Sequence, residues 1–264
     1  MQKNDCRLGT NENFKVLCTS LHDSGIRIIL DGVFNHVGRD FFAFKDIQQN
    51  KQNSQYRDWF YINFHENSKY YDGFYYEGWE GYFELVKLNL GNLNVKNYFF
   101  DCIKHWILDF DIEGLRLDVA YMLNKNFIKE LRTFARKIKP DFSIVGEMIY
   151  GDYNSIIGNA MLHSATNYEC FKGIYSSLDE MNMFEISYSL NRRFGNEHLC
   201  LYTGKNRLSF ADNHDVTRIA SSLKKKEHLS LAFRLLFTMP GIPCIYYGSL
   251  WGIESIKEAR NTRT

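Results

Sequence analysis

Several common sequence signals are scarce or missing in this chain of 264 residues. The six cysteines are scattered without Cys-x-x-Cys spacing, which argues against a zinc site or a disulfide framework and predicts reduced thiols in a cytoplasmic protein. The net charge is only +1, so nothing in the charge balance indicates a nucleic-acid partner. No apolar run approaches the roughly 18 residues of a membrane helix, and the polar first ten residues predict no leader peptide.

Aromatic residues, in contrast, are abundant at 16% of the chain, and one segment holds a large share of them. The stretch from 56 to 83 contains 13 aromatics in 28 residues. No clear helix–strand unit is visible from 38 to 94, which we interpret as an inserted aromatic-rich small domain. We expect about half of these rings to form the core of the insert and the rest to face a cleft, where they can stack on flat apolar ligand faces.

Elsewhere, helical and strand patterns alternate along the chain. Apolar runs predict strands in GIRIILDGVF, IEGLRLDV, FSIVGE, HSATNY, RLSFADNHD and GIPCIYYG. Helical spacing predicts helices over 13–24, 95–110, 126–139, 176–194 and 227–238. This alternation is typical of a parallel α/β fold, and the absence of a Gly-rich phosphate turn favours a barrel over an open doubly wound sheet.

Polar side chains gather where the predicted strands end. Three of them are carboxylates, Asp118, Glu147 and Asp215, and in a barrel all would converge on the C-terminal face. The histidines and asparagines at equivalent positions are His36, His214, Asn35 and Asn213. Each residue alone is as well explained by a structural ion pair or a buried polar group, so the argument rests on their joint occurrence in order.

The two carboxylates Asp118 and Glu147 have different sequence surroundings. Arg116 shares a strand face with Asp118, and a neighbouring cation favours the ionised form that a nucleophile needs. Glu147 lies in the apolar run SIVGEM, where desolvation would favour the protonated form. Two carboxyl groups with opposed environments are typical of glycoside hydrolysis, and Asp215 would supply a third group that stabilises positive charge.

Four segments together resemble the ordered sequence regions of the alpha-amylase superfamily, glycoside hydrolase family thirteen. They are DGVFNH (31–36), GLRLDVA (114–120), VGEM (145–148) and FADNHD (210–215). LVKLNLGN (85–92) is similar to a stretch of the neopullulanase, cyclomaltodextrinase and maltogenic amylase branch, and GIPCIYYG (241–248) is similar to the eighth strand of the family. The resemblance implies an incomplete (β/α)8 TIM-type barrel, about strands three to eight, with a small subdomain inserted after the third strand. Residues 1–37 and 95–264 would form the partial barrel and 38–94 the insert.

The resemblance also implies roles for individual residues. Asp118 matches the nucleophile, Glu147 the general acid/base and Asp215 the transition-state stabiliser. Substrate-binding positions are matched by Arg116, His36, His214, Asn213 and Tyr121. Asn35 matches a supporting residue that helps to hold calcium in calcium-dependent amylases, so a structural Ca²⁺ is conceivable here, although no cofactor is required.

Some positions depart from the family pattern. Tyr121-Met122 stands where many alpha-amylases have Lys-His, which weakens the calcium reading and favours the oligosaccharide branch. Ser249-Leu250 stands where the family usually has an acidic residue, and Val86 where the branch usually has proline.

The resemblance implies retaining hydrolysis of α-glucosidic bonds in malto-oligosaccharides, cyclodextrins or α-glucans, with transglycosylation as an additional reaction. Because it begins after the second strand and ends after the eighth, we expect a fragment of a longer enzyme that forms a homodimer when complete. The alternative is a non-catalytic glycan-binding relative or an inactive fragment.

Overall fold

A computed structural model describes residues 6–195 and 200–257 of the chain. The chain forms two compact units, and each is described by itself. The first unit comprises Met1–Glu147 with Asn159–Leu162, and the second comprises Met148–Gly158 with His163–Thr264.

The first unit contains four helices and eight strands within the described residues. The helices are α1 (Asn11–Asp23), α2 (Phe42–Asn50), α3 (Leu93–Phe110) and α4 (Lys125–Ile138). The strands are β1 (Ile29–Gly32), β2 (His36–Gly38), β3 (Ile62–Asn63), β4 (Tyr75–Tyr76), β5 (Gly78–Trp79), β6 (Tyr82–Lys87), β7 (Gly114–Leu117) and β8 (Ser143–Gly146).

Strands β1, β7 and β8 pair in parallel, in the order in which the sequence predicts them. Their register aligns Asp31 with Arg116 and Arg116 with Val145. Leu115, Leu117 and Ile144 are fully buried. Because the strands run in the same direction, the residues that follow Leu117 and Gly146 leave the sheet at the same edge.

The segment 38–94 builds small antiparallel sheets in the same unit. Strands β2, β6 and β5 form one sheet and β3 and β4 form another. Its core consists largely of aromatic rings, with Phe44, Phe74 and Tyr76 fully buried and packed edge to face. The rings of Tyr61 and Tyr82 are partly exposed. The division into barrel and insert at these boundaries stays a prediction.

The second unit contains three parallel strands and four helices within the described residues. The strands β9 (Ser164–Thr166), β10 (Arg207–Phe210) and β11 (Ile242–Cys244) pair in numerical order. The helices are α5 (Tyr168–Glu180), α6 (Met183–Phe194), α7 (Ile219–Ser222) and α8 (His228–Thr238). Ile174, Ile186, Ile219 and Leu236 belong to the apolar core between these helices.

Two sequence predictions need correction. The single helix expected over 176–194 is two helices, because Met181 takes a left-handed backbone with φ 54° and Asn182 caps the next helix through Phe184 N–H. The first strand is less buried than predicted, with Ile29 48% exposed. Among the described residues β1 pairs with β7 alone, so one of its edges has no neighbouring strand. A search of the described residues finds no helix with the length and apolarity that a membrane span requires.

Candidate active site

Arg116 is the centre of the polar cluster at the carboxyl edge of the first unit's parallel sheet. Its Nη1 donates to Asp31 Oδ1 and to Asp118 Oδ1, both at 2.8 Å. Its Nη2 lies 2.9 Å from Glu147 Oε1. Burial opposes the guanidinium charge, but the hydrogen bond that Arg116 donates to Asp31 and the charges of Glu147, Asp31 and Asp118 outweigh it and raise the pKa of Arg116. One cation therefore holds three carboxylates.

The environment of Glu147 is more polar than its sequence suggests. The residue is only 3% exposed, as the apolar run SIVGEM predicts. However, its carboxylate contacts Arg116 and accepts a hydrogen bond from Val119 N–H at 3.0 Å. The apolar sequence neighbours of Glu147 do not reveal these contacts, because the direct pairing of β7 and β8 brings Arg116 beside it. Burial disfavours a charge on Glu147, whereas both contacts favour it.

The backbone just after Asp118 is strained. Val119 takes a left-handed conformation with φ 41° and ψ 46°, which is rare for a β-branched residue. This turn directs Val119 N–H to Glu147 Oε2. The surroundings retain the strain because Val119 is 4% exposed and the next residue, Ala120, donates its N–H to the Glu147 carbonyl. The strained turn after Asp118 is thus connected to Glu147 by two hydrogen bonds.

His36 forms a second part of this candidate site. Its imidazole Nδ1 lies 3.3 Å from Asn35 Nδ2, which assigns the proton of a neutral ring to Nε2. The ring stacks on Trp79 with centroids 5.5 Å apart and an interplanar angle of 28°. Burial lowers the pKa of His36, and the nearby charge of Asp118 opposes that effect. His36 is therefore a neutral, oriented group near neutral pH.

Tyr121 lies in a single 3₁₀ turn, Ala120–Met122, that follows Asp118. Its neighbour Met122 is 38% exposed and its Sδ accepts a hydrogen bond from Trp79 Nε1 at 3.0 Å. Met122 therefore makes two hydrogen bonds, since its own N–H also donates to the Val119 carbonyl.

The second unit contains the other predicted residues, and it brings these together in one loop after β10. The Nε2 of His214 lies 3.0 Å from Asp215 Oδ2, and Asp215 N–H donates to Asn213 Oδ1 at 2.8 Å. Lys257 Nζ donates to the His214 carbonyl at 2.9 Å and lies 3.5 Å from Asp215 Oδ1. Tyr168 OH accepts from Asn213 Nδ2 at 3.0 Å. Asp215 is thus held by two cationic or potentially cationic groups.

Ser249, which follows the last strand, takes part in a buried hydrogen-bond chain. Arg218 Nη1 donates to Ser249 Oγ at 3.1 Å, and Ser249 Oγ donates to Asp212 Oδ1 at 2.6 Å. Arg218 also donates to the Tyr247 carbonyl and lies over the ring of Tyr246. Ser249 therefore links Arg218 to a carboxylate that comes from the loop after β10.

Calcium binding by Asn35 stays a prediction. Its amide group is engaged with His36. Among the described residues, one group of three His, Cys, Asp or Glu side chains has its ligand atoms close together, and it consists of His22, Asp111 and Glu113. Lys139 Nζ lies 2.7 Å from carboxylate oxygens of both Asp111 and Glu113, so an ammonium group pairs with both carboxylates of this cluster.

Sequence reasoning missed two residues of the site. The first is Asp31, which lies opposite Arg116 in the register of the parallel pair β1 and β7, so that the strand pairing would have indicated a pair of opposite charges. Trp79 was counted among the rings of the insert. Its contact with His36 has no local sequence signal, because the two residues lie 43 positions apart.

Comparison with known proteins agrees with the fold. The family model described as "Alpha amylase, catalytic domain" matches residues 2–264. An intracellular maltogenic amylase of Bacillus subtilis is 33% identical over 95% of this chain and 42% of the relative. A cyclomaltodextrinase of Thermoanaerobacter pseudethanolicus is 32% identical over 94% of this chain and 43% of the relative.

Solved structures give the same result. The cyclic α-maltosyl-(1→6)-maltose hydrolase of Arthrobacter globiformis matches with a TM-score of 0.86 and 28% identity, over 97% of this chain and 58% of that structure. The matching structures place the chain among the α/β-barrel folds, in which parallel strands alternate with helices. The chain belongs to the alpha-amylase family, in the part that forms the catalytic domain. It spans less than half the length of these two curated relatives.

Proposed function

We propose that this chain carries the catalytic groups of a retaining glycosidase that acts on α-glucosidic bonds. The observation that carries the proposal is the single guanidinium of Arg116, which holds both Asp118 and Glu147 at 2.8 and 2.9 Å. Retaining glycosidases need two carboxyl groups only about 5–5.5 Å apart. A shared guanidinium fork supports such a short separation.

The proposed reaction has two steps. Asp118 attacks the anomeric carbon while Glu147 gives its proton to the leaving glycosidic oxygen, and a covalent glycosyl-enzyme forms. Glu147 then removes a proton from water, which attacks the same carbon and releases Asp118. If a sugar hydroxyl replaces water, the product is a new glycoside, which is transglycosylation. The proton returns to Glu147 in both cases.

The remaining residues have supporting roles in this proposal. Asp215 stabilises positive charge at the reacting carbon, and His36, His214, Asn213 and Tyr121 contact sugar hydroxyls or rings. A neutral His36 with its proton on Nε2 suits a hydroxyl acceptor. We propose that these chain groups suffice without a cofactor.

The relatives suggest the substrates. Their names refer to maltogenic amylase, cyclomaltodextrinase and neopullulanase activities, which supports malto-oligosaccharides, cyclodextrins or α-glucans as substrates here. The name of the Bacillus subtilis relative also supports a cytoplasmic location. We propose that the complete enzyme forms a homodimer and has no nucleic-acid or membrane partner.

The test compares leaving groups in Asp118→Asn and Glu147→Gln. Loss of the acid should matter less when the leaving group needs no proton, so Glu147→Gln should lose far more turnover on maltotriose than on a nitrophenyl α-glucoside. Asp118→Asn should lose about 10⁴-fold or more on both, because the nucleophile is needed for each. The control, Glu84→Gln, changes an exposed carboxylate that pairs with Lys69.

Equal rates in wild type and both variants would contradict the assignment. Thermal protection by maltotriose without turnover in the wild type would instead support the glycan-binding alternative. Neither protection nor turnover would indicate an inactive fragment.

A further inference from the structure

Trp79 is buried at the junction between the aromatic segment and the candidate active site. It ends β5 and is 7% exposed. Its ring stacks on His36 and, with centroids 6.0 Å apart and an angle of 27°, on Tyr82. Its Nε1–H donates to Met122 Sδ at 3.0 Å. A single side chain therefore contacts both a predicted substrate-binding histidine and the turn after Asp118.

These contacts differ from those of a comparable ring nearby. Trp59 is also 7% exposed and belongs to the same aromatic segment. Among the described residues, its ring packs against the rings of Phe42, Tyr56 and Tyr98. Trp59 thus has the contacts of an ordinary core residue, whereas Trp79 contacts polar groups of the site.

We propose that Trp79 is a positioning residue that fixes the imidazole of His36 and the turn Ala120–Met122 for catalysis. The proposal rests on the proposed function, since it names a residue that acts through the same site. Asn35 contacts Nδ1 of His36, and the stacked ring of Trp79 restricts rotation of the imidazole. The hydrogen bond to Met122 Sδ ties the turn to β5.

The physical consequence is a site that is ordered before substrate arrives. A side chain that can rotate must be ordered during the reaction, and small misplacements of catalytic groups cost up to about 100-fold in rate. Removal of Trp79 would free both His36 and Met122. The resulting loss should appear in kcat, because fewer enzyme molecules hold the reactive geometry, and much less in KM.

The test compares Trp79→Leu, Trp79→Phe and the matched control Trp59→Leu. In Trp79→Leu, kcat on maltotriose should fall about 10- to 100-fold with KM within about threefold of wild type. Trp79→Phe keeps an aromatic ring and should recover most of the loss. Trp59→Leu should keep kcat within about threefold, although it lowers the melting temperature like any large core truncation.

A second readout needs no turnover. Proton NMR of the eight histidines reports the ring current of a stacked tryptophan. His36 should show the largest shift of all histidines in Trp79→Leu and little shift in Trp59→Leu. If Trp79→Leu and Trp59→Leu changed kcat and the His36 signal to the same extent, the proposal would be overturned. If the wild type has no turnover, the proposed function fails, and the histidine spectra alone decide the positioning role.

Discussion

Replacement of Arg116 by methionine should destabilise the first unit strongly. The change keeps an unbranched apolar stem but removes the guanidinium, so three carboxylates lose their shared cation. Glu147 dominates the cost because its side chain is only 4% exposed, whereas that of Asp31 is 53% exposed and adds at most about 1 kcal/mol. Loss of one partner from a buried pair costs about 3–5 kcal/mol. Since Glu147 keeps the hydrogen bond from Val119 N–H, we expect about 3 kcal/mol.

The loss of stability caused by Arg116→Met should increase with pH. In Arg116→Met, the buried and uncompensated Glu147 binds a proton more readily in the folded than in the unfolded state. The variant therefore loses stability as pH rises above the ordinary carboxyl range, and the difference from wild type should be larger at about pH 8 than at about pH 5. Urea unfolding at both pH values measures this difference.

A matched control separates this effect from the loss of any arginine. Arg136 lies near the end of α4 and donates a hydrogen bond to the Pro140 carbonyl. Arg136→Met should therefore change stability by less than about 1 kcal/mol at either pH. Equal costs for both variants, or a cost for Arg116→Met that stays constant with pH, would refute the assignment of Arg116 as the shared counter-ion.

Two further predictions concern residues beside this cluster. A Cβ at Gly146 would lie 2.2 Å from Leu162 Cδ1. Gly146→Ala should therefore cost about 1–3 kcal/mol in unfolding free energy, and it should lower activity by displacing Glu147. Unchanged stability would contradict the close packing of Gly146 against Leu162. Burial lowers the pKa of His36, so the unfolded chain binds its proton more readily and stability should fall as pH drops through the ordinary histidine range. His36→Gln should flatten this acid-side slope in thermal melts at several pH values, and a slope equal to that of wild type would contradict the burial effect.

The sequence predicted the helices and strands well because their signals are local. The runs that contain β1, β7, β8, β9, β10 and β11 all form parallel strands where expected. The predicted helices over 95–110 and 126–139 match α3 and α4 within two residues at each end. Apolar periodicity and caps such as Asn92 and Asn124 define these elements without reference to the rest of the chain.

Other features could not be predicted because they depend on distant residues. The break at Met181 has no glycine or proline to mark it, since an ordinary side chain takes the left-handed conformation there. Likewise, an apolar run around Glu147 predicts burial correctly but says nothing about which strand lies beside it. The register of β7 against β8 decides that Arg116 serves Glu147 as well as Asp118.

The role of Asp118 as nucleophile can be tested most directly by trapping the glycosyl-enzyme. A fluorinated glucosyl fluoride forms the intermediate quickly and releases it slowly, so intact-protein mass spectrometry should show the addition of one glycosyl unit. Digestion should place the addition on the peptide that contains Asp118, and Asp118→Asn should show none. An adduct on another residue, or turnover of the reagent with inversion at the anomeric carbon, would contradict the proposed mechanism.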